Sequence, residues 1–449
     1  MDLAELTALL TPEGLQLLDD VGGISSTDEV ARAVTRLRAE GHSPDLVSAV
    51  VGQARLREKA RPKFGGFAER MLFTRAGLEQ STRLSVAARH AGRIRDAGFT
   101  AVADLGCGIG GDALGFAALG LRVQAVDADE VTAAIAAYNL APFGADATVA
   151  HGTAEAFVAG LAAASAASAA ALADGADRDP ASAPKPSPDA PVSSEAPGLD
   201  GRSPGLDATG PDEASRLALW LDPARRTAGH SETARTRPED WSPSLDWVFE
   251  VAARHPVGVK LGPGLDRALI PDDVEAQWVS ADGSTIELVL WSGALARPGV
   301  RRAALVIRGE RAWELTAPAD APDAEVRELG AYLHEPDGAV IRARLIGEVA
   351  GHLQAGMLDE HIAYLTGDEP LTSPFAQSFR VREVLPTGVK PLAAALKAAG
   401  IGTLEIKKRG VDIDPAALRK QLKLRGPESA TLFLTRIGSR RVAVLADRV

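Results

Sequence analysis

The chain has 449 residues, 46% of them hydrophobic and 24% charged, with a formal net charge of −11. That length corresponds to about three domains with room for large cores, and a single cysteine, Cys107, excludes an internal disulfide framework and a cysteine-rich zinc site. No charged leader runs into an apolar signal segment and no uninterrupted apolar stretch reaches the roughly 18 residues of a membrane span, so a cytoplasmic protein with no membrane association is expected. The eight histidines show no ligand spacing, and no metal is expected.

The charge is uneven. From Phe375 to Val449 there are 15 Lys and Arg against 6 Asp and Glu, while the rest of the chain carries 34 against 54. An acidic body with a basic C-terminal module points either to a polyanion docking at that end or to a solvated basic face.

In chain order, residues 1–98 read as helices. Thr11 is placed as an N-cap with Pro12 at the first helical position, and Ser43-Pro44 opens another helix. The stretch Lys63 to Thr82 carries Phe64, Phe67 and Phe73, in a chain with 11 Phe. Its polar residues Thr74, Glu79 and Gln80 are candidates for ligand contact.

Residues 102–112 organise the chain. An apolar run reaches Asp104 and Leu105, glycines fall at 106, 108, 110 and 111, and a helix opens at Asp112. A buried strand that meets a glycine loop and then a helix N-terminus is the first βα turn of a doubly wound sheet. Gly106, Gly108 and Gly111 also fit the dinucleotide fingerprint, so the glycines alone choose no cofactor. Asp104 argues against a pyrophosphate, which a carboxylate there would repel, and favours a cationic ligand such as the ammonium and sulfonium of S-adenosylmethionine. Asp127 ends the next apolar strand, where an acid that holds a ribose is expected. A third strand at 146–150 is followed by Thr153 and Glu155, the candidates for contact with the base of the cofactor.

Residues 158–172 read as a helix and 173–213 as a disordered insertion rich in Pro, Gly, Ser, Ala and Asp, too poor in large apolar side chains to offset its ordering entropy. An apolar strand at 216–221 then ends in Asp222-Pro223-Ala224-Arg225. Another helix, a strand at 256–264 and a hairpin with an Asp-Gly turn follow. The chain thus divides into a helical region at 1–98, a domain at 99–310 with its insertion at 158–214, a helical connector at 311–374 and a module at 375–449. That last module alternates as β-α-β-α-β-β.

The strand, acid, glycines and second acid resemble motifs I and II of the class I S-adenosylmethionine-dependent methyltransferases, and the loop Gly106–Asp112 looks like the trimethylguanosine-synthase-like branch. The resemblance implies an α/β, Rossmann-like sheet with an N-terminal helical region and a small C-terminal α/β domain. It further implies that Asp104, Gly106, Gly108 and Gly110 hold the methionine end, Asp127 the ribose and Thr153 the adenine. Methyltransferases that act on exocyclic amines end the fourth strand in Asp/Asn-Pro-Pro-aromatic, and Asp222-Pro223 matches the first half of that motif. Ala224 and Arg225 replace the second proline and the aromatic, so a stacking ring must come from elsewhere, with Trp241 or one of Phe64, Phe67 and Phe73 as candidates. Arg225 is a candidate for phosphate. The 375–449 unit resembles the THUMP-like domain found after some bacterial methyltransferase domains, most closely at 404–414 and 418–426, which implies RNA, tRNA or rRNA, docked by Lys407, Lys408, Arg409, Arg419, Lys420, Lys423 and Arg425. Methylation of pyrimidine C5 usually needs a cysteine, and the only thiol lies in the cofactor loop, so a nitrogen or an oxygen is the expected acceptor; with the resemblance to amine methyltransferases, a base nitrogen is expected. The rivals are a small-molecule or protein methyltransferase, and a non-catalytic RNA-binding protein with a vestigial loop.

Overall fold

The computed structural model describes residues 1–176, 216–225 and 241–449, with the side chains of 168–176 and 225 outside that description. The insertion expected at 173–213 therefore falls largely outside the described residues. Two compact units emerge, Met1–His230 with Pro238–Val248, and Ser231–Arg237 with Phe249–Val449. No helix among the described residues is long and apolar enough to cross a membrane.

The first unit begins with helices α1 (Leu3–Leu9), α2 (Pro12–Val21), α3 (Thr27–Ala39) and α4 (Pro44–Phe64). Each start is set by a local cap. Asp2 and Ser26 form capping boxes with Glu5 and Glu29, and Thr11 and Ser43 accept from Gly14 and Leu46 with proline following. A 3-10 turn (Gly65–Arg70) leads to α5 (Arg75–Gln80) and α6 (Leu84–Asp96).

The α/β part follows as β1 (Ala101–Leu105), α7 (Gly111–Ala118), β2 (Arg122–Asp127), α8 (Glu130–Leu140), β3 (Ala147–His151), α9 (Ala154–Ala176) and β4 (Leu217–Leu221). The strands stand in the order β3-β2-β1-β4, all parallel, with Asp104 between Ala125 and Trp220 in the register. This Rossmann-like order brings the ends of β1, β2 and β4 side by side, where ligands bind in open parallel sheets. Every residue of β1 is buried, as expected for a central parallel strand. A short pair, β5 (Ala224–Arg225) and β6 (Trp241–Ser242), and helix α10 (Leu245–Ala252) complete the elements up to the boundary of the second unit.

The second unit contains β7 (Val257–Leu261), β8 (Glu275–Ala281), β9 (Ser284–Trp291), β10 (Arg302–Arg308) and β11 (Arg311–Ala317), ordered β7-β9-β8-β10-β11, with β8 and β10 parallel and the other pairs antiparallel. Asp282 and Gly283 both have positive φ, 50° and 82°, which makes the β8–β9 connection the two-residue turn that an Asp-Gly pair favours.

A seven-stranded sheet follows. It is built from β12 (Tyr332–Pro336), β13 (Gly356–Asp359), β14 (Ile362–Gly367), β15 (Ala376–Leu385), β16 (Ile401–Lys408), β17 (Glu428–Ile437) and β18 (Arg440–Arg448), in the order β13-β14-β12-β15-β18-β17-β16. Helices α11 (Gly338–Arg342) and α12 (Ile346–Leu353) lie between β12 and β13, and α13 (Val389–Ala398) and α14 (Pro415–Leu422) interleave the last four strands. The expected β-α-β-α-β-β module is present. The helical connector expected at 311–374 is not, because it carries β11 to β14. Tyr332, Leu333 and His334 pair with β14 and with β15, so these short segments gain their ladder bonds from the C-terminal strands. Leu392, Leu396, Leu418 and Leu422 pack from α13 and α14 onto Leu404, Leu432 and Leu445 on one face. The opposite face buries Leu333, Tyr364, Phe379 and Phe433.

Candidate cofactor and acceptor site

The loop after β1 is shaped by its glycines. Gly106, Gly108 and Gly110 have φ of 90°, 57° and 86°, which L side chains rarely adopt. The amides of Gly106 and Cys107 both donate to the Val126 carbonyl, at 2.8 and 3.0 Å, and Gly110 donates to Cys107 O at 2.9 Å. The end of β2 fixes the loop as well, since Asp127 Oδ2 accepts from Gly108 N and Oδ1 from Asp129 N, both at 2.9 Å. Burial raises the Asp127 pKa, and these two amide bonds oppose that shift.

Asp104 is 1% exposed beneath the loop. The Cys107 thiol is pushed up, first by burial and then by the charges of Asp104, Asp127 and Asp222. Three carboxylates therefore converge on the loop, and Cys107 is held neutral, without the thiolate a nucleophile needs. A cation is favoured here and a pyrophosphate is not.

Asp222 lies against the same loop. Its amide continues toward β1 by donating to Leu105 O at 3.3 Å. A Cβ on Gly106 would come within 3.0 Å of the Asp222 carbonyl oxygen. Asp222 is half-buried and Pro223 buried. The Arg225 side chain lies outside the described residues. Thr153 and Glu155 are exposed after β3, and the Thr153 hydroxyl accepts from Ala156 N at 3.2 Å at the start of α9. Trp241, Phe64 and Phe73 are 3%, 1% and 0% exposed and serve as core; Phe67 is 54% exposed.

Several positions that fix the surroundings of the loop were missed by sequence reasoning. Asn139, buried at the end of α8, accepts from Leu72 N at 2.8 Å and donates to Leu72 O at 3.0 Å and to Ile109 O at 2.9 Å. Gln53 pairs with both main-chain groups of Phe73, at 2.7 and 2.9 Å, and Arg57 donates to Met71 O at 3.0 Å. Segment 71–73 is thus held on one side by α4 and on the other by α8 and the cofactor loop. Thr74 caps α5, accepting from Gly77 N at 2.9 Å, while Glu79 and Gln80 are exposed. Polar Gln53 and Arg57, four apart among the apolar residues of α4, were the available signal. Below the loop, Asp112 accepts from Thr82 Oγ1 at 2.6 Å and meets His90 Nδ1 at 2.9 Å, and the His90 ring stacks on Trp220 at 4.5 Å.

The C-terminal cations divide by strand alternation. Leu404 and Ile406 join the core under α13 and α14, so Lys408 shares their face and Lys407 and Arg409 take the other. Lys407 Nζ lies 2.5 Å from Glu335 and 3.4 Å from Glu405, and Arg409 lies 3.5 Å from Glu335. Lys408, Arg419, Lys420, Lys423 and Arg425 are exposed, and no ion pair among the described residues involves them.

Residues 376–448 match the family described as THUMP domain-like, and residues 2–60 match a domain of unknown function. Two proteins of Mycobacterium tuberculosis, from strains CDC 1551 / Oshkosh and ATCC 25618 / H37Rv, are each 30% identical over 414 residues, spanning 90% of this chain and 96% of theirs. Both are named as uncharacterized S-adenosylmethionine-dependent methyltransferases. The chain belongs to the S-adenosylmethionine-dependent methyltransferases. A crystal structure from Porphyromonas gingivalis W83, itself assigned as a methyltransferase, shares the fold, with a TM-score of 0.65 at 18% identity over 95% of this chain and 99% of that one.

S-adenosylmethionine is the cofactor of this methyltransferase, and the residues present suit it. The ligand brings an ammonium and a sulfonium and no phosphate, and the loop offers glycine backbone with three carboxylates around it.

Proposed function

We propose that this methyltransferase transfers a methyl group from S-adenosylmethionine to a base nitrogen of RNA, tRNA or rRNA. The observation that carries the reading is the approach of Asp222 to Gly106, which supports an acceptor site beside the methionine end of the cofactor. The exposed cations around α14, on a THUMP-like module, support a polyanionic substrate. On this reading the phosphate contacts are Lys408, Arg419, Lys420, Lys423 and Arg425, with Lys407 and Arg409 engaged by Glu335. The loop Gly106–Asp112 and Asp222-Pro223 also fit the trimethylguanosine-synthase-like branch and an exocyclic amine as acceptor. A cytoplasmic location is part of this reading.

When bound, S-adenosylmethionine supplies a methyl already activated by its sulfonium. Asp104 and the backbone of Gly106, Gly108 and Gly110 would hold the methionine end, Asp127 the ribose hydroxyls and Thr153 the adenine. Asp222 accepts hydrogens of the acceptor amine and aims its lone pair, with Pro223 stiffening the turn. Catalysis on this reading is mostly positioning, with no nucleophile from the protein.

The test is Asp222→Ala. Transfer to RNA is expected to fall by about 100-fold while the dissociation constant for S-adenosylmethionine stays within about threefold. Full activity in the variant would remove Asp222 from the acceptor role.

A further inference from the structure

The acceptor turn has Arg225 where the motif of exocyclic-amine methyltransferases that it resembles has an aromatic, and the ring at Trp241 is buried. Phe67, by contrast, is the only exposed aromatic among the described residues. Its exposure does not come from a loose backbone. The chain is fixed upstream by buried Phe64 and downstream by Met71, Leu72 and Phe73, whose main-chain groups are taken by Arg57, Asn139 and Gln53.

Phe67 and Arg70 are three residues apart in the 3-10 turn, a spacing that stacks side chains on one face. Arg70 and the nearby Arg75 are exposed, and no ion pair among the described residues involves either. Residues 51–98 carry 11 Lys and Arg against 4 Asp and Glu, inside a body that is otherwise acidic. Arg70 lines a cleft with Arg57 and Arg61 as well as Asp19, Glu58 and Glu69, and an exposed ring in the same turn as an exposed guanidinium matches the two parts of a nucleotide, a flat base and a phosphate. The turn is linked to the cofactor loop through the chain and one side chain. Phe67 is five residues from Leu72, at most about 18 Å of chain, and Asn139 ties Leu72 to Ile109 in the cofactor loop.

We propose that Phe67 and Arg70 form a nucleotide-binding platform of this methyltransferase, with a base of the RNA substrate stacked on the Phe67 ring and its phosphate on Arg70. The platform supplies a stacking ring, which the turn lacks with Arg225 in the aromatic's place. This inference rests on the RNA reading of the site.

The test compares the full-length wild type with Phe67→Ala, Phe67→Leu and Phe67→Trp. It measures methyl transfer to tRNA and rRNA fractions from cells lacking the gene, together with S-adenosylmethionine affinity. Phe67→Ala and Phe67→Leu are expected to lower kcat/KM for RNA by about 10- to 100-fold with cofactor affinity unchanged, and Phe67→Trp is expected to retain it. Arg70→Glu is expected to raise KM and flatten the salt dependence. Wild-type kcat/KM in Phe67→Ala and Phe67→Leu would overturn the platform and leave the RNA reading intact. Equal loss in Phe67→Trp and Phe67→Ala, or a fall in cofactor affinity that accounts for the loss, would mark a structural ring and overturn the platform too. Absence of methylation of any RNA by the wild type would overturn both.

Discussion

Asn139 pairs with Leu72 as a neighbouring strand would, accepting from its amide at 2.8 Å and donating to its carbonyl at 3.0 Å, while the same side chain reaches Ile109 in the cofactor loop. One buried amide thereby joins the N-terminal region to the loop. Asn139→Ala leaves three buried main-chain groups without that partner, and a stability loss of about 2–4 kcal/mol is expected by urea unfolding. Affinity for S-adenosylmethionine, measured by calorimetry, is expected to fall several-fold with it. Unchanged affinity in a folded variant would separate the loop from this clamp.

Gly106 is the position where the loop meets the acceptor turn. Gly106→Ala demands a positive φ of an L residue and sets a methyl 3.0 Å from Asp222 O. The expected outcome is a cofactor affinity lowered at least about tenfold, for a stability cost of about 1–2 kcal/mol. Retention of affinity would mean that loop and acceptor turn can part without harm to binding.

His334 gives a pH signature to the second unit. It is fully buried, with Nδ1 2.8 Å from Ser378 Oγ, and burial lowers its pKa from 6.5 to about 4. Between those values the unfolded chain binds a proton that the native state does not, so stability is full above about pH 6.5 and falls as the pH drops toward 4. At pH 4.5 this one group is expected to cost about 2 kcal/mol. The fall in urea stability between pH 7 and 4.5 should be smaller by about that amount in His334→Asn; an equal fall would show that the histidine titrates normally when folded.

The basic residues of the C-terminal module should separate into two classes. Glu335→Ala removes the carboxylate that Lys407 and Arg409 share, leaving Lys407 to Glu405, and is expected to destabilise by about 1 kcal/mol without loss of RNA affinity. Arg419→Glu and Lys423→Glu should leave stability within about 0.5 kcal/mol. Each should weaken RNA binding and reduce the slope of log affinity against log salt by about one. A salt slope unchanged in both would move the RNA contact away from α14.

Much of this architecture was legible because its signals are local. Strands that end in acids, glycines that need positive φ, caps followed by proline, and the Asp282-Gly283 turn all act within a few residues. The strands between 311 and 367 were not, because segments such as Tyr332–Pro336 carry polar His334 and Glu335 and become strands only through ladder bonds to β14 and β15. The same holds for Asn139, whose partner Leu72 lies 67 residues away, and for Glu335, 72 residues from Lys407. Composition marked Lys407 and Lys408 alike; the alternation of β16 separates them, and only the tertiary fold shows which side holds the carboxylate.

The most direct measurement is transfer of labelled methyl from S-adenosylmethionine to fractionated RNA from cells lacking the gene, with wild-type RNA, protein and metabolite fractions alongside. The expected result is label in tRNA or rRNA from the deficient cells and little in wild-type RNA, whose sites are already filled. Label confined to protein or metabolite fractions, or found in none, would contradict an RNA methyltransferase.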